Sequence, residues 1–379
     1  MPANGNGKDP VMVVVQLSGG NDFMHTLIPY NSPTYYDNRK LVKIDREDVL
    51  PINDDLAFNP NFRPVKEMFD DGKVAVVQGI GYPNSNRSHF RGMDIWHTCE
   101  PDKVVTEGWV GKALRELDPN GEDELTGINF GVGLPRAMAV PGVPVTSVND
   151  LDSYGLMTGI GENDQRDQAL QIFKDMYAQA IGTGPVMEYL SRTGMDVLRG
   201  ADRLKAAPAQ YSSSVEYADN AISNSLRDIA RVHTTGLGTR IFYTSHGGYD
   251  THANENPTHP KLLQDLSGAI RDFFDDLNEH DAADNVVMMV FTEFGRRIKD
   301  NGSGTDHGSG GGAFIIGEPV NGGLYSEYPS LDSADWAKGE DLEHTIDFRG
   351  IYATMLEQWM GIDAPEIVNG QYEQITPFK

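Results

Sequence analysis

The run Val11-Met12-Val13-Val14-Val15-Gln16-Leu17 constrains this chain most. It is short, rich in β-branched residues and closed by Ser18-Gly19-Gly20-Asn21-Asp22, the pattern of a buried strand that ends in a loop. Strands apolar on both faces come mostly from parallel sheets, which need helices above and below them. The rhythm continues: Phe62–Asp71 carries Val65, Met68 and Phe69 at helical spacing, stops at Gly72 and leads into the apolar run Val74–Val77. Further on, the pattern predicts a strand at Arg240–Thr244 and a helix at Pro260–Asn278. Strands follow at Val286–Phe291 and Ala313–Ile316, then a closing amphipathic helix at Phe348–Trp359, ended by Gly361. Such alternation predicts an α/β fold with a mostly parallel central sheet sandwiched by helices.

Two stretches break the rhythm. Pro135–Val148 is punctuated by Pro and Gly and reads as surface edge or loop with one short strand. From about 162 to 235 the spacing turns helical, with stripes at Ala169, Leu170, Ile172, Phe173 and Met176, at Val186–Leu198 and at Ala221–Val232. This is a helical layer or insertion in the middle of the chain. We expect a polar tail at 1–10 and a single domain at 11–379.

The chain has 379 residues and a formal charge of −25, with no cluster of Lys and Arg of the kind that grips phosphate backbones. Nucleic acid is therefore not an expected partner. The apolar runs stay far below the roughly 20 residues that span a bilayer. Cys99 is the only cysteine, so any metal is expected on oxygen and nitrogen ligands. As the sequence stands it reads as cytoplasmic, or exported if a leader has been removed.

In open α/β sheets, ligands bind beyond the carboxyl ends of the strands. Chemistry-bearing residues collect after each expected strand: Asp22 after the first, Asn86-Arg87-Ser88-His89-Phe90-Arg91 after the second, His246, Asp250 and His252 after the third. Glu293 and Arg296 follow the fourth, and Asp306 and His307 lie in the next loop. Asp250 and His252 are two apart, so in an extended segment both reach one ion; carboxylate plus imidazole suits Zn²⁺ or Mn²⁺, with Mg²⁺ or Ca²⁺ as harder alternatives. Asp22 also reads as a helix cap. Glu293 directly behind a buried strand needs a partner, either a metal or one of Arg296 and Arg297. Ser88 is a nucleophile or an N-cap, and Arg87 and Arg91 are clamps for an oxyanion or simply solvated.

In this order the residues resemble the alkaline phosphatase and sulfatase superfamily, and more closely the bacterial sulfatase-like family known as domain of unknown function 1501. The resemblance rests on Leu17–Asp22, Gly81–Arg91, Ser245–His252, Thr292–Arg297, Gly304–Gly308 and the helix from Asp347 to Gly361. It implies an alkaline-phosphatase-like fold and one or two divalent metals. Asp22, Ser88 and Glu293 would serve one metal position, and Asp250, His252 and His307 the other, with His246 or His259 as substitutes. Ser88, beside His89, is implied as the nucleophile, and Arg87 and Arg91 as its charge-neutralising neighbours.

The function so implied is metal-dependent hydrolysis of phosphate or sulfate esters, or a related phosphoryl transfer, on a small-molecule or glycan ester. Cys99-Glu100-Pro101-Asp102-Lys103 lacks the arginine of the sulfatase signature, so a formylglycine enzyme is not expected. Two alternatives stand beside this reading. One is a metal-independent serine esterase, suggested by Gly20-Asn21-Asp22 and Asp341-Leu342-Glu343-His344; the other is a non-catalytic member that binds an anion or glycan.

Overall fold

The computed structural model describes residues 7–154 and 207–379, together with positions 165, 168–172, 175, 184, 200–201 and 203–204. The first strand, β1 (Val11–Ser18), lies inside a nine-stranded sheet. In chain order there follow α1 (Arg63–Asp70), β2 (Val74–Gly81), α2 (His89–Thr98), α3 (Trp109–Leu117), β3 (Gly127–Phe130) and β4 (Thr146–Val148). Then come α4 (Ala221–Thr234), β5 (Ile241–Gly247), α5 (Glu255–Glu279), β6 (Val286–Thr292), the hairpin β7 (Arg296–Asp300) and β8 (Thr305–His307), β9 (Gly311–Ile316), β10 (Gly323–Tyr325), β11 (Ile346–Asp347) and α6 (Phe348–Thr354).

The sheet order is β10-β2-β9-β6-β1-β5-β3-β4, with β11 also paired to β2. β1 pairs in parallel with β5 and β6, β3 with β4 and β5, and β2 with β10 and β11. Only β9 runs against its neighbours β2 and β6 among the described residues. Its reversal follows from the connection before it: residues 293–310 hold a hairpin and no crossover helix, and parallel neighbours would have required a crossover.

Alternation along β1 shows why both faces are covered. Val11, Val13, Val15 and Leu17 pack into one core with α1, α4 and α5, through residues such as Met68, Leu226, Ile270 and Phe273. Met12 and Val14 point to the opposite core, made with α2, α3 and α6 through Trp96, Trp109, Phe348 and Tyr352. Each fully buried side chain of this size contributes roughly 1.5–3 kcal/mol. Trp96 stacks on Phe348 with centroids 4.4 Å apart, and the buried Trp359 donates its Nε1–H to Val11 O at 2.9 Å, tying the closing helix to the central strand.

The expected strands and helices at both ends of the chain are present, with shifted bounds. α5 begins at Glu255, five residues before the expected start at Pro260, because Ser303 holds the entry: its carbonyl accepts from Glu255 N at 3.1 Å and its Oγ from Asn254 N at 3.1 Å. The closing helix is α-helical only to Thr354 and continues as a π-helix over Met355–Met360, where Gly361 at φ +70° ends it. Thr146–Val148 is the short strand expected within Pro135–Val148 and lies at the sheet edge. Of the expected helical middle, Ala221–Thr234 is observed, and the stripe at Val186–Leu198 lies outside the described residues. No described helix is long and apolar enough to cross a membrane.

Candidate metal centre

The carboxyl ends of β1, β2, β5 and β6 share one edge of the sheet with the start of the reversed β9. Close backbone packing assembles this edge. Gly19 turns at φ +124°, and a Cβ there would lie 2.3 Å from Asp250 N, so the exits of β1 and β5 touch main chain to main chain. Arg296, 1% exposed, donates to Gly20 O at 2.7 Å, Gly19 O at 2.6 Å, Tyr249 O at 2.7 Å and Thr305 O at 3.0 Å, and to Asp250 Oδ1 at 2.8 Å. Its donors tie three loops together.

Asp250 Oδ1 is the centre of the arrangement. His307 Nε2 lies 2.9 Å from it, His252 Nε2 3.1 Å and His89 Nε2 3.3 Å. The opposite nitrogen of each ring meets an oxygen that only accepts: His89 Nδ1 meets Glu293 Oε1 at 2.9 Å, His252 Nδ1 meets Asp306 Oδ1 at 3.0 Å, and His307 Nδ1 meets Arg87 O at 2.7 Å. Each Nδ1 therefore carries the proton, and in the neutral rings three Nε2 lone pairs face one carboxylate oxygen.

The Nε2 atoms of His252 and His307 stand 2.9 Å apart, and His89 Nε2 is buried without a hydrogen-bond partner. Lone pairs crowded on an anion repel unless positive charge sits among them. A cation there would relieve this: ligand atoms of His89, Asp250 and His307 all lie within 4.8 Å of one another, with His252 Nε2 beside Asp250 and His307, and Nδ1–H groups tied to carboxylate or carbonyl oxygens are the usual support of metal-bound histidine. Three nitrogens and one oxygen suit Zn²⁺ or Mn²⁺.

The electrostatics fit this. Burial alone would raise Asp250, but the Arg296 guanidinium, hydrogen-bonded to its Oδ1, holds it below the usual carboxylate range. The hydrogen bond that His89 donates to Glu293 raises its pKa, while burial lowers that of His307. With neutral imidazoles, Asp250, Glu293 and Asp306 against Arg296 and Arg297 leave the group net negative.

The structure distributes the other expected residues differently. Glu293 is bonded to His89, Gly19 N at 2.9 Å and Thr292 Oγ1 at 3.0 Å, while Arg296 serves Asp250. Asp22, expected with Ser88 and Glu293 at one metal position, is buried, pairs with Arg39 through both oxygens and caps a one-turn helix through His25 N at 3.2 Å. Burial opposes its charge, and the Arg39 guanidinium outweighs that and lowers its pKa. His246 also lies apart, with Nδ1 3.0 Å from the Tyr249 hydroxyl.

Arg87 makes a bidentate pair with Asp341 at 2.9 and 2.7 Å. Arg91 binds Asp94 at 2.5 Å and the carbonyls of Glu100, Pro101 and Lys103. Both guanidiniums expected as clamps are thus engaged within the protein. Ser88 is exposed at the N-cap of α2 and makes no capping bond with its side chain. The blocks that suggested an esterase are spent too: Asn21 bonds Thr26 and His259, and His344 bonds Glu343.

A cleft of about 790 Å³ opens beside the centre, lined by Gln16, Ser18, His89, Phe90, His97 and Glu293 among others. Its size is that of a small-molecule site. Phe90 and Val104, 92% and 72% exposed, stand at its wall.

Sequence reasoning missed a second group. His25, Glu255 and His259 lie together, wholly buried. The available signal was Glu255 and His259 at i and i+4, visible once the helix is started at 255 rather than 260.

Fold and site together define a mixed α/β protein with a candidate divalent-metal centre at the carboxyl edge of its sheet. Residues 78–372 match the family described as protein of unknown function (DUF1501), and the chain belongs to that family. No curated protein matches the sequence. Among solved structures it is similar to a protein in the alkaline phosphatase superfamily from Vibrio parahaemolyticus, at 13% identity and TM-score 0.44, over 100% of this chain and 72% of that one. The PsFucS1 sulfatase from Pseudoalteromonas sp. is similar at 12% identity and TM-score 0.43, over 97% and 71%. The C-terminal periplasmic domain of EcEptC from Escherichia coli, in complex with Zn, is similar at 9% identity and TM-score 0.36, over 83% and 75%.

Proposed function

We propose that this chain is a metal-dependent hydrolase of phosphate or sulfate esters, with its cation on His89, Asp250, His252 and His307. The observation that carries the reading is the convergence of three Nε2 atoms on Asp250 Oδ1 while every Nδ1 is held by an oxygen. A divalent cation held there supplies Lewis-acid polarisation of the ester oxygens and favours the deprotonated form of a nucleophile. Glu293, Asp306 and the Arg87 carbonyl orient the three rings. Ser88, placed between Arg87 and His89, offers the nucleophilic hydroxyl, and its side chain has no competing cap to make. Without a cation, the carboxylates of the centre would repel an ester anion, since Arg87 and Arg91 are already paired. The cleft beside His89 receives the alcohol portion, and Phe90 gives it an apolar wall.

The test is turnover of aryl phosphates and aryl sulfates by purified protein before and after EDTA, and after return of Zn²⁺ or Mn²⁺. Turnover should vanish with the chelator, return with the metal, and be absent from Asp250→Asn; Ser88→Ala should keep the metal and lose turnover. Absence of both turnover and bound metal would sink the reading. Turnover indifferent to EDTA would favour the metal-independent esterase.

A further inference from the structure

The buried group behind the first centre has its own unmet valences. His25 and His259 face each other with Nδ1 atoms 3.1 Å apart, and Glu255 Oε1 lies 4.0 Å from His25 Nδ1. All three residues are 0% exposed. Glu255 Oε1, on the side of the facing Nδ1 atoms, has no hydrogen-bond partner, which is costly for a polar atom shut away from water. Glu255 Oε2 accepts from Thr305 Oγ1 at 2.7 Å, which aims the bare Oε1 at the imidazoles.

The protonation pattern can be followed outward. Asn21 Nδ2 donates to Thr26 Oγ1 at 3.1 Å, so Asn21 Oδ1 accepts from His259 Nε2–H at 2.8 Å. Neutral His259 then has its lone pair on Nδ1, turned toward His25 and Glu255. The neighbouring Asp22 and Arg39 cancel each other's charge, so an ionised Glu255 would be the unbalanced charge of the buried group. Donor atoms around a tetrahedral Zn²⁺ at about 2.0–2.1 Å stand about 3.3 Å apart, and the distances of 3.1 and 4.0 Å bracket that spacing.

We propose that His25, Glu255 and His259 hold a second divalent cation in the interior, with Asn21 and Thr305 orienting its ligands. Such an ion would be structural, since no ligand of it reaches solvent. It would brace the hairpin that carries His307, because Thr305 opens β8 and its N–H bonds Thr251 O at 3.1 Å. The alternative is a cation-free group in which His25 Nδ1–H donates to His259 Nδ1 and Glu255 keeps a proton.

Metal content by elemental analysis decides between them, on full-length protein produced in zinc-supplemented medium. Wild type should carry about two ions per chain, Asp250→Ala about one and Glu255→Gln about one. Cobalt-loaded Asp250→Ala should show the visible absorption of a low-symmetry Co²⁺ site, and Asp250→Ala/Glu255→Gln should lack it. Asp250→Ala protein that is folded but holds neither zinc nor cobalt would overturn the proposal, and this arm decides even if Glu255→Gln fails to fold. Failure of the hydrolase reading is distinguishable: an ion kept by Asp250→Ala and lost by Glu255→Gln supports the interior site whether or not esters turn over.

Discussion

Asp250 gathers Arg296 and three imidazoles on a single oxygen, and the residues behind the rings are as informative as the rings themselves. Asp306 touches the centre only through His252 Nδ1. Asp306→Ala should therefore weaken Zn²⁺ binding by ~10–100-fold without removing a ligand, measurable by competition with a chromogenic chelator. Arg39 gives a contrasting case. Removing it leaves the buried Asp22 carboxylate without its guanidinium partner, so Arg39→Ala should destabilise the fold by ~3–5 kcal/mol in urea denaturation. Asp250, His252 and Glu293 were legible in the sequence because each follows an apolar run, and His307 because it stands in the glycine-rich loop just before one. The Asp22–Arg39 pair was not, since no periodicity links a loop carboxylate to a guanidinium 17 residues on.

Among elements, the exits of β1 and β5 depend on each other. A side chain at Gly19 would meet Tyr249 and Asp250 main chain at 2.3–3.0 Å. Gly19→Ala should push Asp250 out of place, with lost metal binding and a lower unfolding temperature, read by elemental analysis and calorimetry. The apolar strands and their covering helices were readable from spacing alone. Strand direction was not: Ala313–Ile316 looks the same in sequence whichever way it runs, and only the hairpin before it sets its sense. The true start of α5 was equally hidden, because Pro257 and Pro260 resemble boundaries while Ser303, far along the chain, holds the first turn. That boundary concealed the second group of ligands.

For the whole molecule, buried histidines give stability a direction in pH. Burial lowers His97, bonded to Gln16, and His246, bonded to Tyr249, each to about 4 from an ordinary 6.5. Their folded pKa lies below the unfolded one, so below pH 6.5 the unfolded chain takes up protons that the folded chain refuses. Stability from these groups should be level above about pH 6.5 and fall down to about pH 4. Urea midpoints across this range should show it, and His97→Gln should flatten the slope.

The ligands of the first centre also impose an order in time. His89 leaves the ribosome early, Asp250 and His252 much later, and His307 later still, on a hairpin that must fold back against the exits of strands already made. An ion held there, as proposed, could not template the N-terminal strands during synthesis. It would report that the hairpin β7–β8 has docked, and metal uptake by a nascent chain should begin only after that hairpin has emerged and folded back.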